Sequence, residues 1–122
     1  MTRHNQIIGK WGERIAEKYL IDRGYLVLAV NHRTPFGEID IIASEDDMLV
    51  FVEVKTRSST SLGNPEGSVT LRKQKHIIES AQHYLMKEDR EIDEWRVDVI
   101  AITGKPGDSN IDIQLFQNAL FF

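Results

Sequence analysis

Two runs of β-forming residues, Glu38 to Ala43 and Met48 to Lys55, flank the polar stretch Ser44-Glu45-Asp46-Asp47, and each run carries a carboxylate among aliphatic neighbours. A connection this short favours an antiparallel hairpin. A two-residue turn at Asp46-Asp47 pairs Glu45 with Met48, and a four-residue turn pairs Ser44 with Leu49. Both turns give one register, and that register sets Asp40 opposite Glu53. Strand alternation groups Glu38, Asp40 and Ile42 on one face, and Phe51, Glu53 and Lys55 on one face of the partner. Directly opposed residues have Cβ atoms ~4.5–5.5 Å apart, where like charges repel.

Charges inside apolar strands are costly unless they are paired or bound to metal. A divalent cation between Asp40 and Glu53 gives the repulsion a purpose. Hard carboxylate donors fit Mg²⁺, or Mn²⁺, with water and substrate phosphate completing the shell. No histidine cluster lies near the pair, which argues against zinc. Lys55 points the same way as Glu53, placed to orient water or to stabilise charge on a phosphate. The same residues also fit a structural network in which Lys55 pairs with both carboxylates and nothing binds. Spacing alone leaves both readings open.

The rest of the chain supplies a scaffold for this hairpin. Ile8, Trp11, Ile15, Ala16, Tyr19 and Leu20 recur at helical spacing, so residues 6–23 read as a helix ended by Gly24. Gly9 and Gly12 inside it each cost roughly 1 kcal/mol against alanine. They mark a close approach, by a phosphate backbone, another chain segment or the sheet. Tyr25 to Val30 reads as a strand, and Pro35-Phe36-Gly37 as a turn. Residues 56–68, rich in Ser, Thr, Gly and Pro, read as a loop. Thr70 caps a second helix to about Lys87 with Ile77, Ile78, Ala81, Tyr84 and Leu85 on its apolar face. Strands follow at Trp95 to Thr103 and Ile111 to Phe116, with an apolar tail at Ala119 to Phe122. The order is αβββαββ: an α/β fold with a mixed sheet flanked by helices. The strands either side of the second helix are expected to run parallel if they neighbour each other.

A chain of 122 residues is within the size of one domain, so residues 1–122 are taken together. The absence of cysteine excludes disulfides and thiolate metal sites. No apolar run approaches the ~18 residues of a membrane span, the N-terminus lacks the apolar stretch of a signal peptide, and the expected location is the cytoplasm. Net charge is −4, which does not favour a polyanionic partner, but its distribution is uneven. Residues 1–34 hold six Lys and Arg against three acids, and residues 67–87 hold four against one. Both segments read as helices. A basic face results if they share a side, and ordinary solvated helix faces if they do not.

Gly37-Glu38-Ile39-Asp40-Ile41-Ile42-Ala43 followed by Phe51-Val52-Glu53-Val54-Lys55-Thr56-Arg57 resembles the signature of the PD-(D/E)XK nuclease superfamily. Asp40 matches its aspartate and Glu53-Val54-Lys55 its (D/E)XK element, while Ile39 stands where the signature has proline. The whole chain is similar to the YraN family, related at a distance to archaeal Holliday-junction resolvases. The likeness includes Gly12-Glu13, Ala16, Tyr19, Leu20, Gly24-Tyr25, Asn31, Arg33, Gly63, Pro65, Lys73-Gln74-Lys75, Arg96 and Asp98. It implies a restriction-endonuclease-like fold and a single nuclease-like domain. It also implies a role for Glu13, matching the resolvases' extra glutamate on the first helix. Gln74 falls inside the second helix's apolar arc, and some superfamily nucleases keep a glutamine near the metal there. Its other reading is a glutamine satisfied by water or backbone. Arg57, Arg72, Lys73 and Lys75 are candidate phosphate contacts.

Arg96 and Asp98 share a strand face and read as a structural ion pair, and Trp11 and Trp95 as packing residues. Three functions follow. The first is a Mg²⁺- or Mn²⁺-dependent endonuclease acting on DNA, structured or branched DNA included. Asp40, Glu53 and the Val54 carbonyl hold the metal, Lys55 assists water, and Glu13 and Gln74 complete the site. The second is a non-catalytic nucleic-acid-binding accessory protein that keeps the fold. The third is an interaction module using Leu120-Phe121-Phe122, which equally serves to close the core. A homodimer suits a symmetric junction.

Overall fold

The computed structural model describes residues 3–58, 70–88 and 94–119. Its elements are α1 (Arg3–Asp22), β1 (Leu26–Thr34), β2 (Gly37–Glu45), β3 (Met48–Arg57), α2 (Leu71–Lys87), β4 (Trp95–Thr103) and β5 (Asp112–Phe116). The order αβββαββ is the one expected. The five strands form one sheet in the order β1-β2-β3-β4-β5. Neighbours are antiparallel except β3 and β4, which run parallel across the α2 crossover. Thr56 and Arg57, expected in a loop, extend β3, because β4 offers them partners at Ile102 and Thr103. Gly63 and Pro65, and the tail Leu120-Phe121-Phe122, lie outside the described residues.

The helices pack on opposite faces of the sheet, each closing its own core. Ala16 and Leu20 of α1 meet Ile41, Ala43, Val50, Val52, Ile100 and Ile102. Ile77 and Ala81 of α2 meet Ile39, Ile42, Phe51, Val97 and Val99. Central strand β3 is buried from Leu49 through Glu53, as a strand covered on both faces must be. Trp11 packs against the α1 core, and Trp95 stacks edge-on against Phe51, 5.7 Å between centroids. Since the two basic helices lie on opposite sides, they do not make a common basic face. Only the middle of α1 and the first turn of α2 approach one end of the sheet, where Gly12 meets Thr56 and Lys73 meets Glu53.

Two local features fix these placements. A Cβ on Gly12 would collide with the Thr56 hydroxyl and lie 3.3 Å from Thr56 Cβ, so glycine lets α1 sit directly on β3. Of the approaches open to these glycines, Gly12 makes the one to the sheet. A Cβ on Gly9 would meet nothing within 4 Å. The Thr70 hydroxyl accepts from the Lys73 amide at 3.2 Å and starts α2 as expected.

At the hairpin end of the sheet, Arg96 and Asp98 form the anticipated ion pair. Arg96 Nε donates to both Asp98 oxygens at 3.0 and 3.1 Å. Its Nη2 reaches the Tyr25 hydroxyl at 3.1 Å and Glu45 at 3.2 Å. The Asn118 amide donates to the fully buried Asp98 carboxylate at 2.8 Å. One charged cluster thus ties β4 to the start of β1, the end of β2 and the residues after β5. Ala119 is itself buried in the α2-side core, its amide donating to the Val97 carbonyl at 3.0 Å. Among the described residues no helix is long and apolar enough to cross a membrane.

Two outcomes test this packing by thermal or urea unfolding. Gly12→Ala is expected to cost roughly 1–3 kcal/mol by overpacking, with part recovered by adding Thr56→Ala, whereas Gly9→Ala gains up to about 1 kcal/mol of helix propensity. Asp98→Ala is expected to cost about 3–5 kcal/mol, because it leaves the Arg96 guanidinium buried without its main counter-charge.

Candidate metal centre

The β2–β3 ladder follows the expected register, from Glu45 opposite Met48 to Ile41 opposite Val52, and its last backbone pair is Ile41–Val52. Beyond that point β2 continues along β1 to Gly37, while β3 continues along β4 to Arg57. Asp40 and Glu53 are the next residues on the two arms of this fork. They do not form a backbone pair. Instead, the Val54 amide donates to Asp40 Oδ2 at 2.8 Å. In an extended strand a residue's N–H and C=O project to the same side, so the Val54 carbonyl also faces the fork.

Strict alternation fails at the same place. Ile39 and Ile41 are two residues apart, yet Ile39 packs in the α2-side core and Ile41 in the α1-side core. Ile42 shares its core with Ile39, so the expected grouping of Glu38 and Asp40 with Ile42 on one face does not hold. The cause lies on β1. Its pairing with β2 runs from Val30–Ile41 to His32–Ile39 and omits Asn31 and Asp40, and Asn31 adopts a left-handed φ of 53°. Asparagine tolerates that conformation better than most residues. The irregularity frees Asp40 from the ladder.

Helix α1 brings Glu13 to this point, since the adjacent Gly12 seats the helix against Thr56 of β3. Carboxylate oxygens of Glu13, Glu38 and Asp40 lie within 4.8 Å of one another. Glu13 accepts a hydrogen bond from the Asn31 side chain, and its Oε2 is buried with no hydrogen-bond partner. Burial raises the Glu13 carboxyl above its ordinary value, with smaller upward pushes from Glu38 and Glu53 and a counteracting one from Asn31. Asp40 is displaced furthest. Burial first, then the charge of Glu53, then that of Glu13, push it up to about 8 against the single stabilising bond from Val54.

Glu53 is 5% exposed and forms an ion pair with Lys73 from the first turn of α2, Nζ to Oε1 2.5 Å. Lys55 is half-buried on the same strand. Burial lowers its ammonium, helped by the charge of Lys73 and opposed by Glu53 and Asp40. Gln74 is 8% exposed, the residue after Lys73, and its backbone N–H donates to the Thr70 carbonyl at 2.8 Å. Arg57, at the end of β3, accepts from the Gly104 amide through its carbonyl at 2.9 Å. Arg72 is exposed, and exposed Lys75 stands 4.0 Å from Glu79. The fold therefore brings Asp40, Glu53, Val54, Lys55 and Glu13 together and sets Lys73 on the carboxylate itself. Arg72 and Lys75 are left on the open surface of α2.

This donor set is a cluster of carboxylate oxygens and a strand carbonyl, with one buried carboxylate oxygen still lacking a partner. It suits a hard divalent cation such as Mg²⁺ or Mn²⁺. The same motif lies within a family match. Residues 12–102 match the uncharacterised protein family UPF0102. The chain belongs to this family, which is the YraN family. A UPF0102 protein of Syntrophomonas wolfei is 43% identical over 108 residues, covering 88% of this chain and 94% of the relative. One from Clostridium botulinum strain Loch Maree is 41% identical over 116 residues, 94% of each chain. A third, from Desulfitobacterium hafniense strain DCB-2, is 43% identical over 105 residues, 84% of this chain and 85% of the relative.

Sequence reasoning passed over two members of this UPF0102 site. Glu38 was recognisable as a third acid on the hairpin, but its approach to Glu13 depends on the slip at Asp40. Asn31 stood among the residues of the family likeness, just past the β-rich run, with no role assigned, although asparagine there is itself a signal for a left-handed residue. The site predicts a metal-linked stability. Mn²⁺ at a hundredfold excess over its dissociation constant is expected to stabilise the wild type by ~2.7 kcal/mol. Asp40→Asn is expected to abolish that gain, while melting higher than wild type in chelator at pH 8, because a neutral amide relieves the repulsion from Glu53. Differential scanning fluorimetry with and without Mn²⁺ reads both effects.

Proposed function

We propose that this UPF0102 protein is a Mg²⁺- or Mn²⁺-dependent endonuclease of PD-(D/E)XK type that hydrolyses nucleic-acid phosphodiesters, structured or branched DNA foremost. The observation that carries the reading is the meeting of Asp40, Glu53 and Lys55 at the open fork between β2 and β3. The acidic pair is held in a repulsive, largely buried arrangement that a divalent cation relieves.

Asp40, Glu53 and the Val54 carbonyl would hold the cation, with Glu13 and Glu38 bordering it from α1 and β2. The chemistry supplied by that ion is polarisation of the phosphoryl oxygen and a lowered pKa for the attacking water. The chain's own residues do the rest. The Val54 amide fixes the Asp40 carboxylate in place. The Asn31 side chain donates to Glu13, whose Oε2 stays buried without a hydrogen-bond partner. Lys55, half-buried on the strand of Glu53 and within the charge of both carboxylates, would orient the water and balance charge growing on the phosphate. Lys73, in the first turn of α2, reaches Glu53, and Gln74 follows it on the buried side of the helix. Arg57, Arg72 and Lys75 are the basic groups offered to the polyanion. Cytoplasmic Mg²⁺ and DNA suit this chemistry, and two copies of the chain suit a two-fold symmetric junction.

The deciding experiment is cleavage of labelled single-stranded, duplex, flap and four-way-junction DNA with Mg²⁺, Mn²⁺ or chelator. Wild type is expected to cut only with metal. Asp40→Asn and Glu53→Gln are expected to lose roughly 100-fold or more of the rate, reflecting several kcal/mol of transition-state charge stabilisation. Lys55→Met is expected to lose about 10²–10³-fold. Cutting that persists in chelator or in Asp40→Asn would refute the assignment. Salt-sensitive binding without turnover by a folded wild type would favour a non-catalytic nucleic-acid-binding accessory protein instead.

A further inference from the structure

Lys73 is held in an unfavourable local position. It lies in the first turn of α2, where the helix macrodipole is positive and opposes a cation. No acidic residue occupies that turn, and Arg72 and Lys75 add like charge on either side. What holds its ammonium is the contact with Glu53 Oε1. The two partners are placed very differently. The Glu53 side chain is 6% exposed, whereas that of Lys73 is 42% exposed, so the lysine reaches inward from the rim of the site. A carboxylate buried to 5% exposure beside Asp40 calls for a positive neighbour. Lys73 supplies one, and it does so at the oxygen-bearing group that a divalent cation would need.

Resting on the nuclease reading above, we propose that Lys73 is the resident counter-ion of the metal-free centre. A divalent cation displaces it from Glu53, and the released ammonium, at the solvent-facing N-terminus of α2, then engages a substrate phosphate. A dication at the fork and an ammonium on the same carboxylate repel each other, so one must yield. A phosphate at the rim gives the displaced ammonium a new partner, beside the first-turn amides of α2. Metal binding and nucleic-acid binding are therefore coupled through one side chain, each strengthening the other by the same factor. Lys73 is a positioning and phosphate-binding residue in this scheme, whereas Lys55 stays with the reacting atoms.

Titration calorimetry with Mn²⁺ alone tests the displacement, on wild type, Lys73→Met, Lys73→Arg and Asp40→Asn. Removal of the competing cation is expected to tighten Mn²⁺ binding by roughly fivefold or more in Lys73→Met. Lys73→Arg, which keeps the charge, is expected to stay close to wild type. In scanning fluorimetry Lys73→Met is expected to melt below wild type in chelator and to recover the difference with Mn²⁺. In fluorescence anisotropy with a duplex oligonucleotide, Ca²⁺ is expected to raise wild-type affinity more than that of Lys73→Met. Mn²⁺ binding that is unchanged or weaker in Lys73→Met, yet lost in Asp40→Asn, overturns the counter-ion role and leaves the metal centre standing. Absence of Mn²⁺ binding by folded wild type and Lys73→Met alike overturns both.

Discussion

Two carboxylates forced together in a largely dry place are the constraint to which much of this fold answers. Asp40 and Glu53 fall next to each other because the hairpin register allows nothing else once the turn closes at Asp46-Asp47. Neither can be relieved by simple solvation, since apolar cores lie on both faces of the sheet beside them. The structure answers with one backbone amide on Asp40, one ammonium on Glu53 and a half-buried lysine between them in charge if not in contact. That arrangement tolerates the repulsion without removing it, as the raised Asp40 carboxyl records.

A second aspartate in the same sheet shows what full compensation looks like. Asp98 is completely buried, but both of its oxygens accept from Arg96 Nε, and one also accepts from the Asn118 amide. Burial still raises its carboxyl, and Asn118 and Arg96 oppose the shift, so its charge is matched on the spot. Asp40 has no guanidinium and three acidic neighbours in Glu53, Glu13 and Glu38. Both are aspartates flanked by aliphatic residues, Asp98 fully buried and Asp40 partly so. One braces the hairpin end of the sheet, and the other sits at an open fork with its repulsion left uncompensated.

The fork itself depends on features that only look like flaws. Asn31 interrupts the β1 pairing with a left-handed residue and donates to Glu13. Gly12 gives up a side chain so that α1 can settle on Thr56, which carries Glu13 within reach of Asp40. Each departs from what a regular strand or helix prefers, and each departure is spent at the same few ångströms of the molecule.

From the sequence by itself came the element order, the hairpin register, the caps at Gly24 and Thr70, the Arg96–Asp98 pair and the adjacency of Asp40, Glu53 and Lys55. All of these depend on periodicity, turn length or residues close along the chain, which local sterics and hydrogen bonding fix. Tertiary structure alone decided that the helices take opposite faces of the sheet, that alternation slips at Asp40, that Glu38 joins Glu13, and that Lys73 rests on Glu53. Those outcomes depend on which distant surfaces can approach one another and on where a buried charge finds its partner. The reason is physical: a strand's period says which residues share a face until the backbone breaks step, and only packing against Asn31 and α1 shows where it does.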